Sequence, residues 1–487
     1  MSRDRGTLCL VLHSHMPYVE GFGTWPFGEE WLWEAVAGVY LPLLELLERT
    51  EAPLTLGLTP VLCDQLEALP GPAGERLVEY LRGVRLRVHE EDAAGLDRGD
   101  EPGLAAEVRR AAGDYARAAD TVDACDRDLL GRLARTAAST PVELWTSAAT
   151  HAVLPLLATD AGLGLQLETG IASHRRRFGG WDGGLWLPEC AYVPGLERGL
   201  ATHGVHATCV DQTAAHGLGA LEQLEPVLTS SGVVAVPIDW ATVELVWTDR
   251  SGYPADPRYR DYHRGTTHHM RPWSNGGDPY APQDARAAAR EHARQFVAAA
   301  IARLDAYASE RGRPGLLCCA FDTELLGHWW YEGTEWLGCV IAEAAEQGLE
   351  LATVSDALER TEPVERALRP STWGTDKDLS TWDSPRVAEI AFAARSAELR
   401  TVAAACGGGR SGPAIERAAR ELLALQASDW PFQLTRELAD DYPIERIDGH
   451  SAALDAALGA LADSGPVPEP SLRNLAPDLA LTSLATP

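Results

Sequence analysis

Eight short apolar runs punctuate the chain, at residues 7–13, 54–60, 142–147, 184–189, 206–211, 233–239, 316–322 and 350–356. Each gives way to a polar cluster and then to a segment of helical period. Apolar runs without polar alternation, separated by helices, predict parallel strands buried on both faces. Seven or eight such units predict a β/α barrel, whose chemistry gathers where strands end at the C-terminal face. Two stretches break the pattern. Residues 70–138 are charged and helical in period, which predicts a helical insertion between the second and third strands. Residues 240–284 are rich in Pro, Gly, Tyr and Trp and predict a long functional loop. Helical period returns at 386–406, 413–428 and 451–462. The expected organisation is a catalytic barrel over 1–69 and 139–360, a helical insertion at 70–138, a C-terminal helical domain at 361–465 and a proline-rich tail at 466–487. We find no internal repeat.

Charge narrows the partners. The chain has 42 basic and 71 acidic residues and a formal net charge of −29, which repels phosphate backbones and anionic membranes. Neither nucleic acid nor a membrane is an expected partner, and no stretch approaches the ~20 apolar residues of a membrane span. Nine cysteines, an odd number without framework spacing, sit mostly in strand-like runs such as those holding Cys9, Cys209 and Cys318. There they read as small buried hydrophobes. Free thiols and an N-terminal apolar run too short for a signal segment predict a cytoplasmic protein, expected to be a monomer or a weak homo-oligomer.

Candidate chemistry lies at the strand ends: His13 and His15 after the first, His151 past the third, Glu189 after the fourth, Asp211 after the fifth, Asp239 after the sixth, Asp322 and Glu324 after the seventh. Singly, each such residue is as often structural as catalytic. Together they would crowd like charges into one mouth, which destabilises a fold unless it serves function. Glu189 in WLPECAY and Asp322 in FDTELLGHWWYEG each terminate a strand and precede aromatics. One carboxylate kept ionised as nucleophile and one kept protonated as general acid is the apparatus for cleaving a glycosidic bond. The chain's 15 tryptophans suit sugar stacking, although about half are expected to be packing, and the adjacent Trp329 and Trp330 cannot both face one way. A rival reading pairs the His13-x-His15 motif with a late aspartate, and with His268 and His269, as a metal-dependent amidohydrolase or deacetylase. It leaves WLPECAY without a role.

The motifs HSHMPY (13–18), ELWTSAATHAVLPLL (143–157), WLPECAY (186–192), FDTELLGHWWYEG (321–333), STWGTDKDLSTWDS (371–384) and LQASDWPF (425–432) resemble, in order and spacing, those of glycoside hydrolase family 57, and within it those of 1,4-α-glucan branching enzymes. The resemblance implies a distorted TIM-like (β/α)7 barrel with an inserted helical domain and a C-terminal all-helical domain, a retaining double displacement on an α-1,4-glucan, and no metal or cofactor. Position by position it implies Glu189 as nucleophile and Asp322 as general acid/base, with His13, His15 and His151 binding the donor sugar. Trp186, Trp373, Trp382, Asp429, Trp430, His328 and Trp329 lie in the same motifs and are expected to line the cleft. GYPADPRYRDYHR resembles a family loop whose tyrosine shields the intermediate, which makes Tyr253 the candidate. After His263 the sequence departs from the family pattern, with Arg271 and Trp273 as substitutes for its usual aromatic and arginine. Alternatives left open are α-glucan hydrolysis, 4-α-glucan transfer, and a glucan-binding protein of little activity.

Overall fold

The computed structural model describes residues 5–248, 251–407, 412–463, 465–467, 469 and 471–485. Seven of the apolar runs become parallel strands: β1 (Gly6–Ser14), β2 (Leu54–Leu58), β3 (Val142–Ser147), β4 (Leu185–Trp186), β5 (Ala207–Val210), β6 (Val234–Pro237) and β7 (Gly315–Asp322). One sheet runs β4-β3-β2-β1-β7 and a second contains β5 and β6. Parallel bridges Gly184–Ala207 and Ile238–Cys318 join the two into a closed ring. Every residue of β1 and β2 is buried, as continuous apolar strands in a helix-jacketed barrel require.

The run at 350–356 is not an eighth strand. β1 is already paired along its length with β7 and from Val11 onward with β2, so only its lower end is free. There Leu8 makes a single bridge to Leu351, and the chain turns directly into the helix Val354–Leu358. The 240–284 segment also differs from its expected lack of packed structure. It opens with the helix Trp240–Trp247, which tucks Trp240, Thr242, Val243 and Val246 against the barrel.

Helices Pro72–Glu79, Leu86–Arg98 and Pro102–Ala124 stand between β2 and β3. Toward the C-terminus, helices Ala388–Cys406, Pro413–Leu425, Asp429–Arg436 and Tyr442–Asp463 pack around Leu422, Leu423, Trp430 and Leu454. They share that core with Tyr18, Val61, Ala149 and Leu165 from the barrel side. A shared apolar core fixes the Asp429–Arg436 helix over the strand ends. All nine cysteines are unpaired, and six are buried. Among the described residues no helix is long and apolar enough to cross a membrane.

Candidate active site

The strand register brings the first candidates together. His13 on β1 is level with Asp322 on β7, so an imidazole and a carboxyl emerge side by side at the rim. β4 stops after two residues because Pro188 follows and Glu189 takes a left-handed backbone, φ 60° and ψ 19°. Cys190 (φ 49°) and His151 (φ 60°) adopt positive φ as well. Non-glycine residues hold such conformations only where surrounding contacts over-determine them, and they cluster at functional sites.

Glu189 has two donors. The Trp373 indole N–H donates to its Oε2 at 2.9 Å and the Ser428 hydroxyl to its Oε1 at 2.8 Å. His151 Nδ1 lies 3.7 Å from the same Oε1. Asp322 has no side-chain hydrogen bond among the described residues. Burial raises the pKa of both carboxyls. At Glu189 the Trp373 and Ser428 bonds pull back toward ionisation. At Asp322 the charges of Glu324 and Glu189 push further up, well above the ordinary carboxyl range. Both carboxyls are thus shifted toward the acid form, Asp322 the further, because only Glu189 has donors that favour its ionised form.

The histidines form an ordered chain. His13 Nε2 and His151 Nε2 are 2.9 Å apart, and His151 Nδ1 is 2.8 Å from Ser428 Oγ. Since Ser428 donates to Glu189, its oxygen accepts from His151 Nδ1–H. His151 Nε2 therefore accepts from His13 Nε2–H, and His13 Nδ1 is left without a partner, as observed. This pattern needs both rings neutral. Burial first, then the neighbouring histidines, lowers the pKa of both well below the usual histidine value. His15 is shifted the other way. Burial opposes its protonation, but the charge and hydrogen bond of Asp429 (Oδ2 at 2.9 Å), with Glu324 and Glu189, raise its pKa. Its ring stacks on His151 at 4.0 Å. Trp186 is fully buried between His13 (4.6 Å) and Trp373 (4.9 Å), so it backs the site and presents no free face to a sugar.

Below Asp322, Glu324 accepts from the Tyr40 hydroxyl at 2.6 Å and from the His15 backbone N–H at 3.1 Å. Burial lifts its pKa to about 7. Tyr40 reaches it from the end of the π-helical turn Val36–Tyr40, a helix irregularity often found at functional sites. Neither Ser428 nor Tyr40 was expected from the sequence. Ser428 adjoins the noted Asp429, but nothing local indicates which of the two faces the barrel.

The remaining expectations divide. Arg271, His328 and Trp329 line a neighbouring cleft of about 420 Å³. In it Trp329, 54% exposed, stacks on Tyr262 at 5.0 Å, and the Arg271 guanidinium lies 3.9 Å from the same tyrosine ring. Trp330 is buried, so the two adjacent indoles do point apart. Trp382 and Trp430 are corrections. Trp382 is buried among Val153, Ala191 and Leu379, and Trp430 among the C-terminal helices, with its N–H on the Ala424 carbonyl and Arg446 over its ring. Both are packing residues. Tyr253 is buried too, stacked on His292 at 4.4 Å and close to Trp336, so in this structure it fastens its loop to the helix Pro282–Arg311. His268 bonds Asp92 and His269 packs on Trp25, which directs both away from the His13-x-His15 motif. Trp329→Ala is expected to raise KM for glucan about 3–10-fold with kcat retained. Trp382→Ala is expected to lose about 3–5 kcal/mol of stability by leaving a cavity. Steady-state kinetics and thermal melts distinguish the two tryptophan roles.

A seven-strand β/α barrel with two half-buried carboxyls at its rim, one held by two donors and one with no side-chain hydrogen bond among the described residues, fits a carbohydrate-cleaving enzyme of the two-carboxylate class. Comparison narrows this. Residues 9–368 match the family model Glycosyl hydrolase family 57, and residues 393–479 match that of the 1,4-alpha-glucan branching enzyme C-terminal region. The chain belongs to glycosyl hydrolase family 57. It is 33% identical to a 1,4-alpha-glucan branching enzyme of Thermococcus kodakarensis, over 92% of this chain and 72% of that one. It is 35% identical to a probable 1,4-alpha-glucan branching enzyme of Mycobacterium tuberculosis, over 94% of this chain and 92% of that one. The crystal structure of a family 57 branching enzyme from Pyrococcus horikoshii superposes with a TM-score of 0.90 at 30% identity, covering 99% of this chain and 97% of the other.

Proposed function

We propose that the chain is a retaining 1,4-α-glucan branching enzyme, which cuts α-1,4 bonds and passes the released segment to a 6-hydroxyl of another glucan. Asp322, held protonated, gives its proton to the glycosidic oxygen as the C4–O4 side of the chain departs, while Glu189 attacks the anomeric carbon from the opposite face. A covalent glycosyl-enzyme results. Asp322, now ionised, takes the proton of the acceptor 6-hydroxyl, whose oxygen displaces Glu189 and restores the α configuration. Neutral His13 and His151 keep Ser428 aimed at Glu189, and the hydrogen-bonded His15–Asp429 pair stands at the same wall.

The observation that carries this reading is the contrast in hydrogen bonding between the two carboxyls: two donors on Glu189 and none among the described residues on Asp322. The match of 393–479 to the branching-enzyme C-terminal model supports transfer over hydrolysis. Amylose incubated with the protein, then debranched and sized, tests it. New α-1,6 linkages are expected. Reducing ends alone would make the protein an amylase, redistributed α-1,4 chain lengths a 4-α-glucanotransferase, and unaltered amylose that is nonetheless retained a binding protein.

A further inference from the structure

The sequence contains one lysine, Lys377, in the segment STWGTDKDLSTWDS that follows the barrel. It takes a left-handed backbone, φ 57°, a position that normally favours glycine or asparagine. Its ammonium group sits 2.8 Å from Oδ2 of Asp211, a fully buried carboxylate one residue past β5. The same group lies 3.5 Å above the ring of Trp240, which follows β6. One charge thus ties the segment to the ends of two strands, through an ion pair and a cation–π contact.

The rest of the segment is a closed turn. Lys377 N–H donates to the Gly374 carbonyl, Thr372 N–H to the Lys377 carbonyl, and the Thr372 hydroxyl to the Asp378 carbonyl. Ser371 exchanges backbone bonds with Tyr192. At the centre is Trp373, whose backbone N–H donates to the Glu189 carbonyl and whose indole donates to Glu189 Oε2. We propose that Lys377 is a positioning residue for catalysis: its clamp on Asp211 and Trp240 holds the 371–378 turn so that the Trp373 indole stays on the carboxylate of Glu189. This rests on the assignment of Glu189 as nucleophile.

Glu189 is faced by the Trp373 and Ser428 donors, His151, His15, and the carboxyls of Asp429 and Asp322; the buried Cys190 thiol adjoins it, held neutral by burial. Lys377→Met replaces none of these groups and acts on them only through the hold on Trp373. The Trp373 bond favours the ionised form of Glu189, so loosening it raises the Glu189 pKa and moves the acidic limb of kcat to higher pH. Removing the lysine charge acts in the same direction, and Asp211→Asn separates the two effects. It breaks the clamp but leaves the positive charge unpaired, which by charge alone moves the limb to lower pH. The experiment measures kcat, KM and the pH profile on amylose for Lys377→Met, Lys377→Arg and Asp211→Asn, with thermal melts.

The expected result is a fall in kcat of about 10–100-fold for Lys377→Met, KM within about threefold, an acidic limb displaced upward in both Lys377→Met and Asp211→Asn, and recovery of most of kcat in Lys377→Arg. Opposite limb shifts in the two variants, or wild-type kcat in Lys377→Met, overturn the proposal. If Lys377→Met does not fold, amine-selective acylation of the wild type serves instead, since the side chain is unique and mass spectrometry separates it from the N-terminus. Complete acylation of Lys377 with full kcat retained overturns the proposal, and loss of kcat in proportion to acylation supports it. Activity retained by Glu189→Gln would instead remove the nucleophile assignment, whatever Lys377 does.

Discussion

Glu189→Gln is expected to lose glucan turnover by about 10⁴-fold or more, ~5.5 kcal/mol of transition-state stabilisation, while still binding maltooligosaccharide. The amide preserves the shape of the side chain and can keep the Trp373 bond, so the fold is undisturbed. It cannot form the glycosyl ester on which a double displacement depends. A stability effect accompanies the loss. The folded-state pKa of Glu189 lies above its unfolded value, so the native protein binds the proton more tightly, and stability falls as pH rises from the unfolded pKa through the folded one. Gln removes that decline. The variant is expected to match the wild type in Tm below about pH 4 and to exceed it near neutrality. Retention of more than about a hundredth of wild-type activity would remove Glu189 from its role.

The barrel was legible because its walls are made of uninterrupted apolar runs, and no other soluble element demands them. The placement of Glu189 and Asp322 at the rim was legible because each closes such a run. The eighth run could not be separated from the other seven by composition; only the prior occupation of β1 by β2 and β7 reduces it to a bridge at Leu351. Trp382 and Trp430 failed for a related reason, since an indole in a motif reads the same whether it faces a sugar or a helix. The second layer of the site was invisible. Ser428 meets Glu189 across 239 residues, and Tyr40 meets Glu324 across 284. Such contacts exist only once the C-terminal helices and the π turn at Val36–Tyr40 have folded onto the rim, and no local pattern announces them.

Asp322→Asn is the second large effect, and it separates the two halves of the reaction. Asparagine cannot protonate the glycosidic oxygen, so cleavage of α-1,4-glucan is expected to fall by about 10³–10⁴-fold. With an α-maltosyl fluoride, whose leaving group departs without a proton, Glu189 still attacks and the glycosyl-enzyme forms. It then accumulates, because no base remains to deprotonate the acceptor. Azide, a nucleophile that carries no proton, is expected to relieve the block and yield an α-glycosyl azide, the retained anomer; rescue of a Glu189→Ala variant gives the β anomer instead, since azide then attacks the substrate directly. The pH profile supplies an independent reading. Wild-type kcat/KM requires Glu189 ionised and Asp322 protonated, so its basic limb reports Asp322. That pKa is raised by burial, then by the Glu324 and Glu189 charges. Glu324, with a pKa of about 7, gains charge as pH rises and holds Asp322 protonated further into the alkaline range. Asp322→Asn is expected to abolish the basic limb on the fluoride substrate, and Glu324→Gln to move the wild-type basic limb to lower pH. An α-azide from the Glu189 variant, or a basic limb unaffected by both carboxyl substitutions, would reverse the assignment of acid and nucleophile.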